Sequence, residues 1–217
     1  MLVLVGAGAA VALAGLGQRV EQHDLLTHQI SALTVNTGGG DVTVRTGGAP
    51  GSVEVTRKTR SAGRLTPLGP TSWEGNTLTL LDDCEGCGDI DYEIRVPAGV
   101  DVTAKTGSGD IELDGGLGTV SLQTGSGDID GDVAAAGSIT TRTGSGDMEL
   151  RLGNAPSLLS AHSGSGDVDI KVPNNQSYAV TFKTGSGDTD INVPQQSTSD
   201  RKIEVQTGSG DISVSGG

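Results

Sequence analysis

The peptide Thr-Gly-Ser-Gly-Asp occurs five times in this chain, ending at Asp110, Asp128, Asp147, Asp188 and Asp211, and Ser-Gly-Ser-Gly-Asp ends a sixth copy at Asp167. Successive aspartates are 18, 19, 20, 21 and 23 residues apart. So regular a period marks one supersecondary unit stacked on copies of itself, rather than a chain collapsed around one wide core. Composition agrees. The 217 residues include 36 glycines but only four aromatics, Trp73, Tyr92, Tyr178 and Phe182, which is too little bulk for a wide core. A narrow gap between apposed strands needs only Val, Ile, Leu and Thr.

Parity within the copies separates inside from outside. Val102/Ala104/Thr106, Val120/Leu122/Thr124, Ile139/Thr141/Thr143, Leu159/Ala161/Ser163, Val180/Phe182/Thr184 and Ile203/Val205/Thr207 each share one face of a strand before the corner. Ile111/Leu113, Met148/Leu150, Val168/Ile170 and Ile212/Val214 do so after it, with Gly131 and Thr189 as weaker members. Side chains alternate along a strand, so these faces point inward, and Ile111, Leu122, Leu150, Ile170, Phe182 and Val205 are expected in one continuous core. Each rung is then strand, Gly-Ser-Gly corner, strand and return loop, with a glycine at positive φ expected in every corner. The fold class that follows is all-β: a single-stacked β-solenoid with two strands per rung of about 20 residues. Degenerate copies are visible at Leu33–Val44 and at Cys87-Gly88-Asp89-Ile90, and further strands at Val53–Thr56 and Thr77–Leu81, joined by the Pro- and Gly-bearing Leu65–Gly75.

The outward positions carry the chemistry. Asp110/Glu112, Asp128/Asp130, Asp147/Glu149, Asp167/Asp169 and Asp188/Asp190 alternate with the inward residues and stack into two columns of carboxylates. A solvated acidic face, whose aspartates also cap the corners through backbone N–H groups, is the plainer reading. Calcium between rungs is the alternative, because Ca²⁺ takes six to eight oxygens that two rungs could supply. The Gly-Gly-x-Gly-x-Asp nonapeptide of calcium β-rolls is absent. A third outward column, Lys105, Gln123, Arg142, His162, Lys183 and Gln206, reads as surface charge balance. His23 and His28, with no further ligands beside them, do not make a metal site.

Net charge is −13, and Asp101–Gly217 holds 16 acids against 7 Lys and Arg, so nucleic acid is not an expected partner. Cys84-Glu85-Gly86-Cys87 lacks a second half for zinc and a βαβ surround for redox work. In an exported protein, a disulfide between Cys84 and Cys87 is its favoured state, two free thiols the next. Export is the reading of the amino end. Leu2–Leu16 is apolar or glycine throughout and Arg19 is the first charge, so residues 1–18 read as a short hydrophobic helix, a membrane anchor or a signal segment cleaved near Ala12-Leu13-Ala14. Residues 19–32 read as a linker and 33–217 as the repeat domain, regular from about residue 100.

The run Ile94-Arg95-Val96-Pro97-Ala98-Gly99-Val100 ahead of the first Ser-Gly-Asp-Ile, with Asp169-Ile170-Lys171-Val172-Pro173 and Asp190-Ile191-Asn192-Val193-Pro194, resembles the bacterial putative adhesin family, a domain of unknown function, over about Leu33–Gly217. The resemblance implies a β-solenoid in the cell envelope with an amino-terminal membrane helix, and supplies no catalytic residues. The repeat here is more uniform than that family's pattern, and the cysteine pair is not part of it.

Three classes of function follow. The first is a non-enzymatic envelope protein, membrane-anchored or secreted, whose faces meet protein, glycan or copies of itself. The second is a calcium-binding module, and without calcium no cofactor is expected. The third is an enzyme acting on polysaccharide, disfavoured because paired catalytic carboxylates need a cleft and unlike surroundings, whereas these aspartates are equivalent.

Overall fold

The structure, a computed structural model, describes residues 18–61, 69–82, 87–134 and 137–217. Of the expected hydrophobic helix at 1–18 only Gln18 is described, as the first residue of a strand; Cys84, and with it the expected disulfide to Cys87, lies outside the described residues, as do residues 62–68.

The described chain is all-β. In order the strands are β1 (Gln18–Thr27), β2 (Ala32–Thr37), β3 (Val42–Thr46), β4 (Ser52–Ser61), β5 (Thr71–Glu74), β6 (Thr77–Leu81), β7 (Cys87–Val96), β8 (Asp101–Thr106), β9 (Ile111–Gly115) and β10 (Val120–Thr124). There follow β11 (Ile129–Val133), β12 (Ile139–Thr143), β13 (Met148–Leu152), β14 (Leu158–Ser165), β15 (Val168–Val172), β16 (Ala179–Ser186), β17 (Thr189–Asn192), β18 (Lys202–Ser209) and β19 (Ile212–Gly216). They form two stacked sheets, of order β1-β4-β7-β3-β9-β11-β13-β15-β19-β17 and β16-β18-β14-β12-β10-β8-β2-β6-β5. From β6 onward the chain alternates between them, one strand in each per rung, and neighbouring rungs pair in parallel. Parity is as the sequence predicts: Val120, Leu122 and Thr124 are buried while Ser121 and Gln123 face water, and the core runs unbroken through Leu33, Ile111, Leu122, Leu150, Ile170 and Val205.

The corners differ from expectation in an instructive way. Left-handed glycines are not needed at every corner. Gly107, Gly109, Gly125, Gly127, Gly144 and Gly146 have no positive φ, and only Gly166, Gly187 and Gly210 do, near 150° (153°, 145° and 148°). Glycine is required instead by closeness. A Cβ on Gly127 would lie 1.9 Å from the Gly109 carbonyl oxygen, one on Gly109 2.1 Å from that of Gly40, and one on Gly146 2.1 Å from that of Gly127. Glycine sits on glycine from rung to rung, and any side chain would push the backbones apart.

Stacking order is also not chain order throughout. From β8 to β15 successive rungs are neighbours, but β18/β19 is inserted between β14/β15 and β16/β17, and β2/β3 lies between β6/β7 and β8/β9. Identical corners ending at Asp188 and Asp211 let either rung stack on Asp167, so the interior decides. In the middle inward column the residues are Ala104, Leu122, Thr141, Ala161, Val205 and then Phe182. The one phenylalanine takes the outermost rung, where it has room and remains 45% exposed rather than joining the core.

At the amino end the expected linker, residues 19–32, holds most of strand β1, which pairs antiparallel with β4, itself antiparallel to β7. The hairpin β5–β6 extends the other sheet. Arg57 on β4 is 1% exposed, hydrogen-bonds Asp24 of β1 and Thr71 of β5, and stands 5.8 Å over the Tyr92 ring, tying both sheets together. The degenerate copy near Cys87 is shifted by two residues: Tyr92 is the partner of Val42, so Asp91, not Asp89, aligns with Asp41.

Gly127→Ala should therefore lower stability by about 2 kcal/mol or more through enforced backbone separation, while Ser126→Ala, at an exposed position, should stay within about 0.5 kcal/mol of the parent. Urea midpoints for the two variants check this; equal effects would put the close contact elsewhere.

Candidate functional site

The candidate site is the carboxylate face of the longer sheet, and its corner column is a hydrogen-bonded ladder. Asp110 N–H donates to Asp41 Oδ1 (2.9 Å), Asp128 to Asp110 (2.8 Å), Asp147 to Asp128 (2.8 Å) and Asp167 to Asp147 (2.8 Å). The inserted rung continues it, Asp211 donating to Asp167 (2.8 Å) and Asp188 to Asp211 (2.7 Å). A parallel ladder of hydroxyls runs just inside. Thr124 Oγ1 donates to the Gly109 carbonyl and Thr143 to that of Gly127, both at 2.9 Å, and Thr106, Ser163, Thr207 and Thr184 repeat the contact. Thr124 Oγ1 in turn accepts the Gly127 N–H at 3.0 Å. The repeated pentapeptide thus supplies a hydroxyl for the neighbour's carbonyl, two glycines for close approach and a carboxylate for the neighbour's N–H.

Beside this ladder stands the second acidic column, in register Thr43, Glu112, Asp130, Glu149, Asp169, Ser213 and Asp190. A third runs Arg45, Asp114, Asp132, Arg151 and Lys171. It places Asp114 and Asp132 in the same patch, two acids the sequence reading passed over because their inward neighbours, Gly115 and Val133, end the strands. The patch is bordered by cations: Arg45 meets Glu112 at 3.0 Å and Arg151 pairs with Glu149. Desolvation among its neighbours, then the negative charges of Glu149, Asp128, Asp110 and Glu112, raise the carboxyl of Asp130 above its ordinary 3.8.

Two like charges one rung apart repel by about 1 kcal/mol in water, whereas a hydrogen bond to a charged acceptor contributes about 1.5–3 kcal/mol. The ladder therefore holds against its own charge. It also uses one oxygen of each corner carboxylate from Asp110 to Asp167 and of Asp211, leaving less of the column for a cation. Among the described residues, no three His, Cys, Asp or Glu side chains converge in a metal-binding arrangement.

The other sheet presents a different face. Thr79, Thr34, Thr103, Ser121, Thr140, Ser160, Glu204 and Thr181 align in one outward column, and Lys105, Gln123, Arg142, His162, Gln206 and Lys183 in the next. His162 contacts Ser160 Oγ at 3.1 Å. His23 and His28 do not meet: His23 contacts Thr56 Oγ1 at 2.9 Å, and His28 the Gly75 carbonyl and the Trp73 ring.

Asp128→Ala removes the acceptor for the Asp147 N–H and should cost about 1–2 kcal/mol in urea unfolding, while Asp128→Asn keeps an Oδ1 acceptor and should stay within about 0.5 kcal/mol. Asp130 behaves oppositely with pH. Its folded-state pKa lies above the unfolded value, so the protonated acid favours folding below about pH 3.8, and that contribution is lost as pH rises through the folded value. Asp130→Asn should be more stable than the parent at pH 7, and the gap between their denaturation midpoints should close on acidification.

Among curated proteins, none matches this chain. Solved structures do. A "putative cell adhesion protein" from Clostridium sporogenes is similar at 14% identity with a TM-score of 0.56, covering 92% of this chain and 100% of that one. A "putative adhesin" from Bacteroides fragilis is similar at 14% identity with a TM-score of 0.49, covering 91% and 97%. The family model described as Toastrack DUF4097 matches residues 26–215, from the end of β1 to the last strand, and the chain belongs to that family.

Proposed function

We propose that the chain is a non-enzymatic β-solenoid of the cell envelope, an adhesin-like scaffold that presents its two flat faces to another macromolecule, protein or glycan. The observation that carries this reading is the equivalence of the outward groups. From Asp110 to Asp167 each corner carboxylate accepts the N–H of the next rung, so its first duty is to the stack. Acid–base chemistry needs two groups whose surroundings set their proton affinities apart, whereas a periodic array suits an extended, repetitive partner. Charges and hydroxyls recur at the rung spacing of about 4.8 Å, acidic on one face and basic with hydroxyls on the other. The fold shared with the clostridial protein described as a putative cell adhesion protein supports the same reading. The apolar Leu2–Leu16 supports attachment to a membrane with the sheets outside the cytoplasm. Among the described residues, no helix is long and apolar enough to cross a membrane.

The test compares the full chain with two face variants: Glu112→Gln with Asp130→Asn and Glu149→Gln, and Lys105→Gln with Arg142→Gln and Lys183→Gln. Binding to purified envelope fractions and to a glycan array should be saturable and fall at least about tenfold in one variant but not the other. Binding indifferent to both sets, or shortening of envelope polysaccharide by the parent chain, would sink the reading.

A further inference from the structure

The two ends of the stack are finished differently. At the amino end the antiparallel strands β1, β4 and β5 cover the outermost rung, and buried Arg57 ties them down. At the other end the last rung, β16 with β17, has no strand beyond it among the described residues. Its inward side chains are the ones that every other regular rung buries, yet Val180, Thr184 and Ile191 are only partly buried and Phe182 is 45% exposed.

The ladders stop there unfinished. Asp188 gives its N–H to Asp211 Oδ1, but among the described residues its own carboxylate accepts no N–H, and the Gly187 carbonyl lacks the hydroxyl that Thr184 gives to Gly210 at 3.0 Å. Among the described residues the outer edge is covered just before the start of β16, where Tyr178 N–H donates to the Pro194 carbonyl and Gln196 N–H to the Tyr178 carbonyl, both at 2.9 Å; β16 itself lacks the usual protection. Residues 179–186 contain no proline, no acid and no inward charge, since Lys183 points to solvent.

We propose that this open end is the docking site for a second copy of the chain, joined tail to tail about a twofold axis with β16 antiparallel to its counterpart. The occupant must cover two strand edges in separate sheets and the apolar strip between them. A single extended peptide covers one edge, whereas the tail of a second copy presents the same two edges at the same separation. Head-to-tail stacking is blocked by the cap. A twofold centred on Phe182 sets residue 182+n opposite 182−n along β16, so Lys183 faces Thr181 and Thr184 faces Val180. No like charges meet along β16. A twofold contact closes on itself, so association ends at two chains. This inference does not depend on what the sheet faces bind.

Sedimentation of the full chain in density-matched nonionic detergent, at about 100 μM, should give twice the 21.7 kDa chain mass. Phe182→Asp should sediment as one chain with unchanged far-UV circular dichroism. Leu25→Asp, at the exposed residue of the opposite end (54% exposed), should remain paired. Amide exchange of the parent at residues 180–184 should slow as concentration rises, and this readout decides alone should Phe182→Asp fail to fold. A single-chain parent, a Phe182→Asp variant that still pairs, or exchange indifferent to concentration would overturn the proposal.

Discussion

Everything in this molecule depends on how closely one corner can lie on the next. Parallel strands pair at about 4.8 Å, and the connecting corner must keep that spacing although it belongs to neither strand. It does so by laying glycine on glycine, where a Cβ would fall about 2 Å from a carbonyl oxygen. Corner backbone groups still need partners, and the flanking residues supply them. Thr hydroxyls donate to the neighbour's carbonyl and Asp carboxylates accept the neighbour's N–H, so the turn becomes a hydrogen-bonded ladder beside the sheets.

A stack built this way has no natural end, which is why its termini hold the least regular structure. Strand order is exchanged at both. One end gains a cap whose buried Arg57 bridges the sheets through Asp24 and Thr71 and rests on Tyr92, whose hydroxyl, raised in pKa by burial, donates to the Leu81 carbonyl at 2.8 Å. The other places the one phenylalanine in the last rung and, among the described residues, leaves the ladder's final carboxylate without an N–H to accept.

The same economy shapes function. An acidic face of this density invites a reading as a cation site, yet one oxygen of each regular corner carboxylate except that of Asp188 is engaged by backbone. What is left for a partner is the pattern: acids bordered by Arg45, Arg151 and Lys171 on one side of the molecule, hydroxyls and cations on the other. Repetition at a fixed spacing favours broad contact over a single reactive centre.

The two-sheet stack, the inward residues and the carboxylate columns were legible in the sequence because each depends on local rules: a period near 20, a side-chain alternation of two, and a corner motif too uniform to misplace. The sequence also marked Gly-Ser-Gly as indispensable, though the reason, approach between rungs rather than handed backbone, involves residues about 18 apart and appears only when they are stacked. The order of the last rungs, the exposure of Phe182, the place of β1 in a sheet and the inclusion of Asp114 and Asp132 in the acidic patch were decided by tertiary structure alone. Identical corners carry no information about which copy lies beside which, so volume in the shared interior and the antiparallel closing strands had to settle it.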